Sequence, residues 1–481
     1  MKPVLIDREE ELEALRGLLA SGEPRLALLS GRRRVGKTFL LTHAWPDDHL
    51  FLFTAARTTS AINRAQLIRD FASWSGVEMR VEDHPTWRTV FTSLFDVRTS
   101  QPLVIVLDEF QFLSDESESI ETIASEFNAA WERPRERRQL FVVLCGSSMS
   151  ILEEMVGGGG PLYGRLAWQH RLQPLNYWYA SQMTPFSAER DRAITYGVLG
   201  GTPRYLAALD ERESLVANLT HLLLPPNGEI RMLIETALDQ EAGLREVAKY
   251  RAIVRAISDG CTQRNEIAQR TGLPNDNSFR DKLSRLASLG YIELRQNFEA
   301  RRNDPAQYVI ADPAFRFHQR FVEPSLSMLE RYAPERVWST SVAPHLDSYL
   351  GLEFERIAVE AYDRRASDAE LPLIKQWSRW EGADRTRRSL EIDIVARRDD
   401  GGMLTGAVKW SSAPLDAHVH RQHIDMLERV ADAGLAWGHE ALADNAILYY
   451  VSAAGFTDDF KSAVRSCAQR VIAWDIHELY A

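Results

Sequence analysis

Arg25-Leu26-Ala27-Leu28-Leu29-Ser30-Gly31-Arg32-Arg33-Arg34-Val35-Gly36-Lys37-Thr38 is the stretch on which the fold turns. An apolar run of strand length leads into G-x-x-x-x-G-K-T, and F-L-L-T-H-A after it is helical in character. The two glycines let a loop wrap so that successive backbone N–H groups face one anion, at the start of a helix whose dipole favours negative charge. Lys37 is placed to reach the β and γ phosphates of a nucleotide, and the Thr38 hydroxyl to ligate Mg2+. Gly31, Arg32, Arg33, Arg34, Val35, Gly36, Lys37, Thr38 and Phe39 are the candidate nucleotide-binding residues. For the three arginines the alternative is a set of solvated loop charges.

Outward from this loop, Leu50–Phe53, Leu103–Leu107 and Leu140–Cys145 are further continuous apolar runs, with helical Glu116–Glu132 between the last two. An amphipathic helix, Glu9 to Leu19, precedes the first run. Apolar strands alternating with helices predict an α/β fold whose parallel sheet is covered on both faces. L-V-I-V-L ends in Asp108-Glu109. Asp108 is the candidate for the Mg2+ shell beside Thr38, and Glu109 for polarising an attacking water. Leu140–Cys145 ends in Gly146-Ser147-Ser148, where either serine could orient water or contact a γ-phosphate. The alternative there is an ordinary polar strand end.

Ile6-Asp7-Arg8-Glu9, the glycine-rich loop, L-D-E-F-Q-F-L (Leu107–Leu113), C-G-S-S (Cys145–Ser148), L-Y-G-R (Leu162–Arg165) and G-G-T-P-R-Y-L (Gly200–Leu206) follow in this order. Together they resemble the archaeal-type ATPase family, a branch of the STAND-like AAA+ P-loop NTPases. The resemblance implies an AAA+ sheet with a helical lid, ATP and Mg2+ as ligands, and hydrolysis. It implies that Asp7 and Arg8 border the adenine, that Pro203 and Arg204 lie in the lid near the nucleotide, and that Ser148 senses the γ-phosphate. Arg165 becomes a candidate arginine finger or sensor. Its alternative is an arginine at a helix start in a surface ion pair.

The boundaries read from the sequence are 1–175 for the ATPase core, 176–240 for the lid, 241–312 for a winged helix and 313–481 for a last α/β domain. Gly260, Gly272 and Gly290 punctuate three short helices, and Tyr291–Leu294 and Gln307–Ile310 make a two-stranded wing. Asn275–Ser288 is the candidate recognition helix, with Arg280, Lys282 and Arg285; Arg295, Arg301 and Arg302 lie on the wing. Gln263 to Arg302 holds eight basic and five acidic residues. Double-stranded DNA is therefore a candidate partner, through a helix in the major groove and basic residues on phosphates. Packing against another domain or a protein partner is the alternative.

The last domain resembles the uncharacterised C-terminal domain found behind archaeal-type ATPases, which is related to PD-(D/E)xK nucleases. The matching residues are Gly351–Glu355, Trp377, Trp380, Glu391–Ala396 and Gly406–Trp410. By that likeness Glu355, Asp393 and Lys409 match a nuclease site. Ala407 stands where the pattern wants Glu or Gln, which removes a metal-binding carboxylate. Glu391 shares a strand face with Asp393 and is a candidate for partial substitution. The expectation is a degenerate, restriction-endonuclease-like domain.

Composition sets the outer limits. The chain has 481 residues, enough for roughly three domains at about 100–200 residues each. A net charge of −11 excludes a chain that coats nucleic acid by bulk charge alone. Cys145, Cys261 and Cys467 lie too far apart for a zinc-ligand spacing. With no apolar run near the ~18 residues of a membrane span, the expectation is a cytoplasmic protein that contacts no membrane. The leading functional expectation is an ATP-driven switch or motor coupled to DNA. An ATP-gated nuclease effector and a signalling ATPase that oligomerises or binds protein partners are the other two.

Overall fold

Apolar runs bounded by polar turns become buried strands in the computed structural model. It describes residues 5–98, 101–133, 139–147, 149–241, 244, 246–301, 304, 306–368 and 371–481. Two units emerge: Met1–Pro174 with Ala237–Val247, and Leu175–Thr236 with Ala248–Ala481.

The first unit is built on β1 (Arg25–Gly31), β2 (Leu50–Thr54), β3 (Leu103–Asp108), β4 (Leu140–Gly146) and β5 (Trp168–Leu172). Their order is β2-β3-β4-β1-β5, and every adjacent pair is parallel. β3 and β4 are buried along their whole length, which explains their lack of polar alternation. Side chains leave the two faces alternately: Leu103, Ile105 and Leu107 enter one core, Val104 and Val106 the other.

The helices Glu9–Ala20 and Lys37–Ala44 supply Leu15, Leu40 and Leu41 to the second core. Ser60–Ser75, Trp87–Asp96 and Ile120–Trp131 cover the first. There Phe127 packs edge-on against Phe91 and Phe95 at 5.1 and 5.3 Å. Each such fully buried ring contributes roughly 1.5–3 kcal/mol.

Register decides where chemistry can occur. Leu107 pairs with Leu144 and Ser30 with Gly146, so β1, β3 and β4 end level at their carboxyl ends. In open parallel sheets ligands bind at that edge.

The second unit contains a mixed sheet of β8 (Ile374–Ala383), β9 (Ser389–Arg398), β10 (Met403–Lys409), β11 (Ile447–Ser452) and β12 (Arg470–Asp475), in the order β12-β11-β10-β9-β8. β8–β9 and β9–β10 pair antiparallel, and β10–β11 and β11–β12 pair parallel. The 26-residue helix Ala343–Asp368 packs on β10. The same unit holds helices of Leu175–Thr236, then three helices (Val247–Ser258, Arg264–Thr271, Asn277–Ser288) and the antiparallel ribbon β6 (Ile292–Arg295) and β7 (Gln307–Ile310). The link after β6 is anchored at Asn297 and Phe298. Phe298 is buried in the C-terminal core against Trp437 at 5.7 Å, and Asn297 Nδ2 donates to the Glu381 carbonyl at 2.7 Å. Among the described residues no helix is long and apolar enough to cross a membrane.

Candidate functional site: a phosphate cradle and a second cleft

The glycine-rich loop has the backbone that its composition predicts. Gly31, Arg34 and Gly36 have φ of 152°, 71° and 98°, which turn their N–H groups inward ahead of the helix Lys37–Ala44. A side chain at Gly31 would press on the Leu172 carbonyl oxygen, 2.6 Å from an added Cβ. Val35 is buried in the core and fixes the loop from below. The Lys37 side chain is buried over the loop, and its Nζ donates to the carbonyls of Gly31 at 2.8 Å and Arg32 at 3.0 Å.

Thr38 and Asp108, seventy residues apart in sequence, meet here: the threonine hydroxyl donates to Asp108 Oδ2 at 2.7 Å. Asp108 Oδ1 accepts the Glu109 N–H at 2.9 Å. Behind them the Cys145 thiol is pushed up by burial, and further by the Asp108 carboxylate, so it stays neutral.

Glu109 adopts φ 52°, the left-handed region, which turns its side chain away from the strand direction. Its Oε2 accepts from Ser147 Oγ at 2.9 Å and from Gln111 Nε2; its Oε1 lies 3.6 Å from an Arg33 nitrogen. Ser147 is wholly buried, and Gln111 nearly so. Ser148 lies outside the described residues. Gln111 lies within L-D-E-F-Q-F-L, a motif that assigns it no role. Its signal is a polar residue inside an otherwise apolar F-Q-F-L, where burial demands a partner.

The other candidates are placed as follows. Arg8, with φ 93° at the start of the helix Glu9–Ala20, donates to the Gln173 carbonyl at 2.6 Å; Asp7 lies 3.5 Å from it, and burial raises its pKa. Arg34 donates to Gln240 Oε1 at 2.8 Å, and Arg57 to the carbonyls of Asp239 and Gln240 at 3.2 and 2.5 Å. Two arginines thus pin Ala237–Gln240 beside the loop, an arrangement that sequence spacing does not reveal. Arg32 stands half-buried in the loop and Phe39 lies against the His43 ring at 4.1 Å, tilted by 39°. Arg165 sits in a turn rather than at a helix start and pairs with Glu132 at 3.1 Å, both half-exposed. Pro203 opens a short helix of the second unit, and Arg204 pairs there with Glu229 at 2.6 Å.

The second unit holds its own cleft, of about 660 Å³, lined by Glu355, Asp393, Lys409 and Ala407. Asp393 Oδ2 accepts from Lys409 Nζ at 2.9 Å and from the Val408 N–H at 3.0 Å. Glu355 is pushed up to about 7 by burial and then by the Asp393 charge. Glu391 lines the same cleft, but its carboxylate is tied to Arg379. His423, held at about 4 by burial, is a neutral imidazole bonded to Thr405 Oγ1 at 3.0 Å. Among the described residues no group of three His, Cys, Asp or Glu is arranged to hold a metal. Glu355 and Asp393 share the cleft, Ala407 stands where a third carboxylate is wanted, and Lys409 and the Val408 N–H already occupy Asp393 Oδ2.

Residues 5–209 match the model of an ATPase domain predominantly from Archaea, and residues 318–423 that of archaeal and bacterial proteins of unknown function. An uncharacterised protein of Methanocaldococcus jannaschii is 25% identical over 439 residues, covering 90% of this chain and 93% of the relative. A Walker-type ATPase of Pyrococcus abyssi is similar at 20% identity and TM-score 0.45, over 66% of this chain and 96% of that one. The Aeropyrum pernix ORC2 protein, in ADPNP–ADP complexes, is similar at 15% identity and TM-score 0.44, over 68% and 95%.

Proposed function

The chain carries an archaeal-type ATPase domain followed by a C-terminal domain of the second matched family, and from that premise we propose a Mg2+-dependent ATPase that acts as a nucleotide-driven switch in the cytoplasm. The observation that carries this reading is the junction of Thr38 with Asp108 at the mouth of the loop topped by Lys37. Two hard oxygen donors 2.7 Å apart, at the N-terminus of a helix, fit a Mg2+ ion shared with nucleotide oxygens. When bound, the ion supplies charge neutralisation to the phosphates.

The chain's own residues do the rest. The inward N–H groups of Gly31 to Thr38 take the phosphate oxygens. Lys37 exchanges its two carbonyl partners for the β and γ phosphates. Glu109 accepts a proton from the attacking water, which lines up with the γ-phosphorus, while Ser147 and Gln111 orient the carboxylate. Asp7 and Arg8 border the base, and Pro203 and Arg204 belong to the lid. Arg165 has its surface partner Glu132, which favours the ion-pair reading over a finger.

The output is DNA contact through the helix Asn277–Ser288, where Arg280 is exposed. Burial of Phe298 favours a packing role for the wing link, leaving the helix as the contacting element. Arg302 lies outside the described residues. A C-terminal domain without a complete metal-binding set supports binding rather than cutting. In the test, equilibrium binding of a fluorescent ATP analogue is lost on Lys37→Ala, and duplex DNA accelerates phosphate release by the wild-type chain. Undiminished nucleotide binding by Lys37→Ala refutes the site; a rate indifferent to DNA refutes the coupling.

A further inference from the structure

We propose that the second unit contains a separate site for a nucleoside monophosphate group, presented as a free mononucleotide or as the terminal nucleotide of a strand. The site is the cavity of about 290 Å³ bounded by the ribbon β6–β7, the end of the helix Val247–Ser258 and the helix Ala343–Asp368. Arg295, Arg316, Arg320 and His345 line it, and among the described residues no Asp or Glu does. In a chain of net charge −11 such a lining is locally basic, with Glu293 and Glu353 set behind Arg295 and Arg316 and with Arg320 exposed to an anion.

Two of the arginines are already fixed. Arg295 Nε donates to Glu293 at 2.5 Å, outside the cavity. Arg316 pairs with buried Glu353 and lies 5.3 Å above the Tyr349 ring. A guanidinium held in place loses little further entropy on binding an anion.

The lining also carries apolar and aromatic side chains. Leu352, 38% exposed, and Tyr308 are among them, giving a base or sugar a seat that inorganic phosphate cannot use. Size sets the limit: a cavity of 290 Å³ holds one nucleotide, whereas the major groove of a duplex alone is about 12 Å wide. Ser348 and Leu352 also line the cleft of Asp393 and Lys409, so a strand ending in the cavity has room to continue there.

The experiment uses the full chain with Lys37→Ala, so that the loop of the first unit does not contribute, and three probes: AMP, a 5′-phosphorylated single-stranded octanucleotide and inorganic phosphate. Expected is one AMP or one oligonucleotide per chain, weakened at least tenfold by Arg320→Glu and by Arg295→Glu, with thermal unfolding unchanged for the exposed Arg320. Binding of AMP identifies the free nucleotide as the source; binding of the oligonucleotide alone identifies a strand end. Inorganic phosphate bound as tightly as AMP overturns the nucleoside assignment. Absence of binding by all three probes, or affinity unchanged in both variants, overturns the site. Retention of fluorescent ATP by the Lys37→Ala chain instead faults the reading of the first unit, and the effect of Arg320→Glu and Arg295→Glu on AMP affinity then decides this site.

Discussion

Glu109→Gln separates binding from chemistry. In the structure the carboxylate accepts from Ser147 and Gln111 on one oxygen and faces Arg33 with the other. An amide of the same shape turns one acceptor into a donor. Whichever way it flips, an N–H then faces Ser147 and Gln111 or faces Arg33. The mismatch costs about 1–3 kcal/mol of stability. It also removes the base. General-base catalysis is worth typically 10²–10⁴-fold, or about 2.7–5.5 kcal/mol at 1.36 kcal/mol per decade.

The two effects are separable, because a destabilised chain that is still folded at the assay temperature loses little kcat. The cradle is untouched, so nucleotide affinity stays near wild type. The assay pairs steady-state phosphate release with equilibrium binding of labelled ATP and a urea melt. Turnover down at least a hundredfold with affinity kept is the expected result. Turnover within a factor of three of wild type refutes the assignment of Glu109 as base.

An alanine at Gly146 would drive its Cβ into Gln111 Oε1 and against Leu152, so Gly146→Ala loses about 1–3 kcal/mol in urea unfolding, and Gln111→Ala in the same chain recovers part of it. Breaking the buried pair of Arg316 and Glu353 by Glu353→Ala leaves a charge without its partner and costs about 3–5 kcal/mol, read from the unfolding midpoint. Glu355 titrates near 7 in the folded chain against an ordinary 4.5. The folded state therefore holds the extra proton between those values, so stability is greatest below them and falls as pH rises from about 4.5 to 7. Glu355→Gln flattens that slope, as urea melts at either end of the window report.

Much of the nucleotide site was written locally. The glycines, Lys37 and Thr38 are adjacent, and Asp108 ends a run too apolar to be anything but a buried strand. What stayed hidden depended on register or on distant chain. β5, W-Q-H-R-L, is an edge strand with alternating burial and too many polar residues to read as core. β8 carries irregular register between Ile374 and Gln376 and between Ser378 and Trp380, which destroys the period of two that marks a strand. The pinning of Ala237–Gln240 by Arg34 and Arg57 joins residues some two hundred positions apart, and no local pattern encodes it. In the second cleft, Ala407 disclosed the missing carboxylate, but the capture of Glu391 by Arg379 needed the β8–β9 pairing, which sets Glu381 opposite Glu391.

Everything proposed for the first unit depends on Thr38 and Asp108 sharing one ion over the loop. The most direct measurement is phosphate release from ATP with increasing Mg2+, for the wild-type chain and for Asp108→Asn. The account predicts release that rises with Mg2+, vanishes in excess chelator and falls to background in the variant at every concentration. Equal release with chelator present, or a variant as fast as wild type, contradicts it.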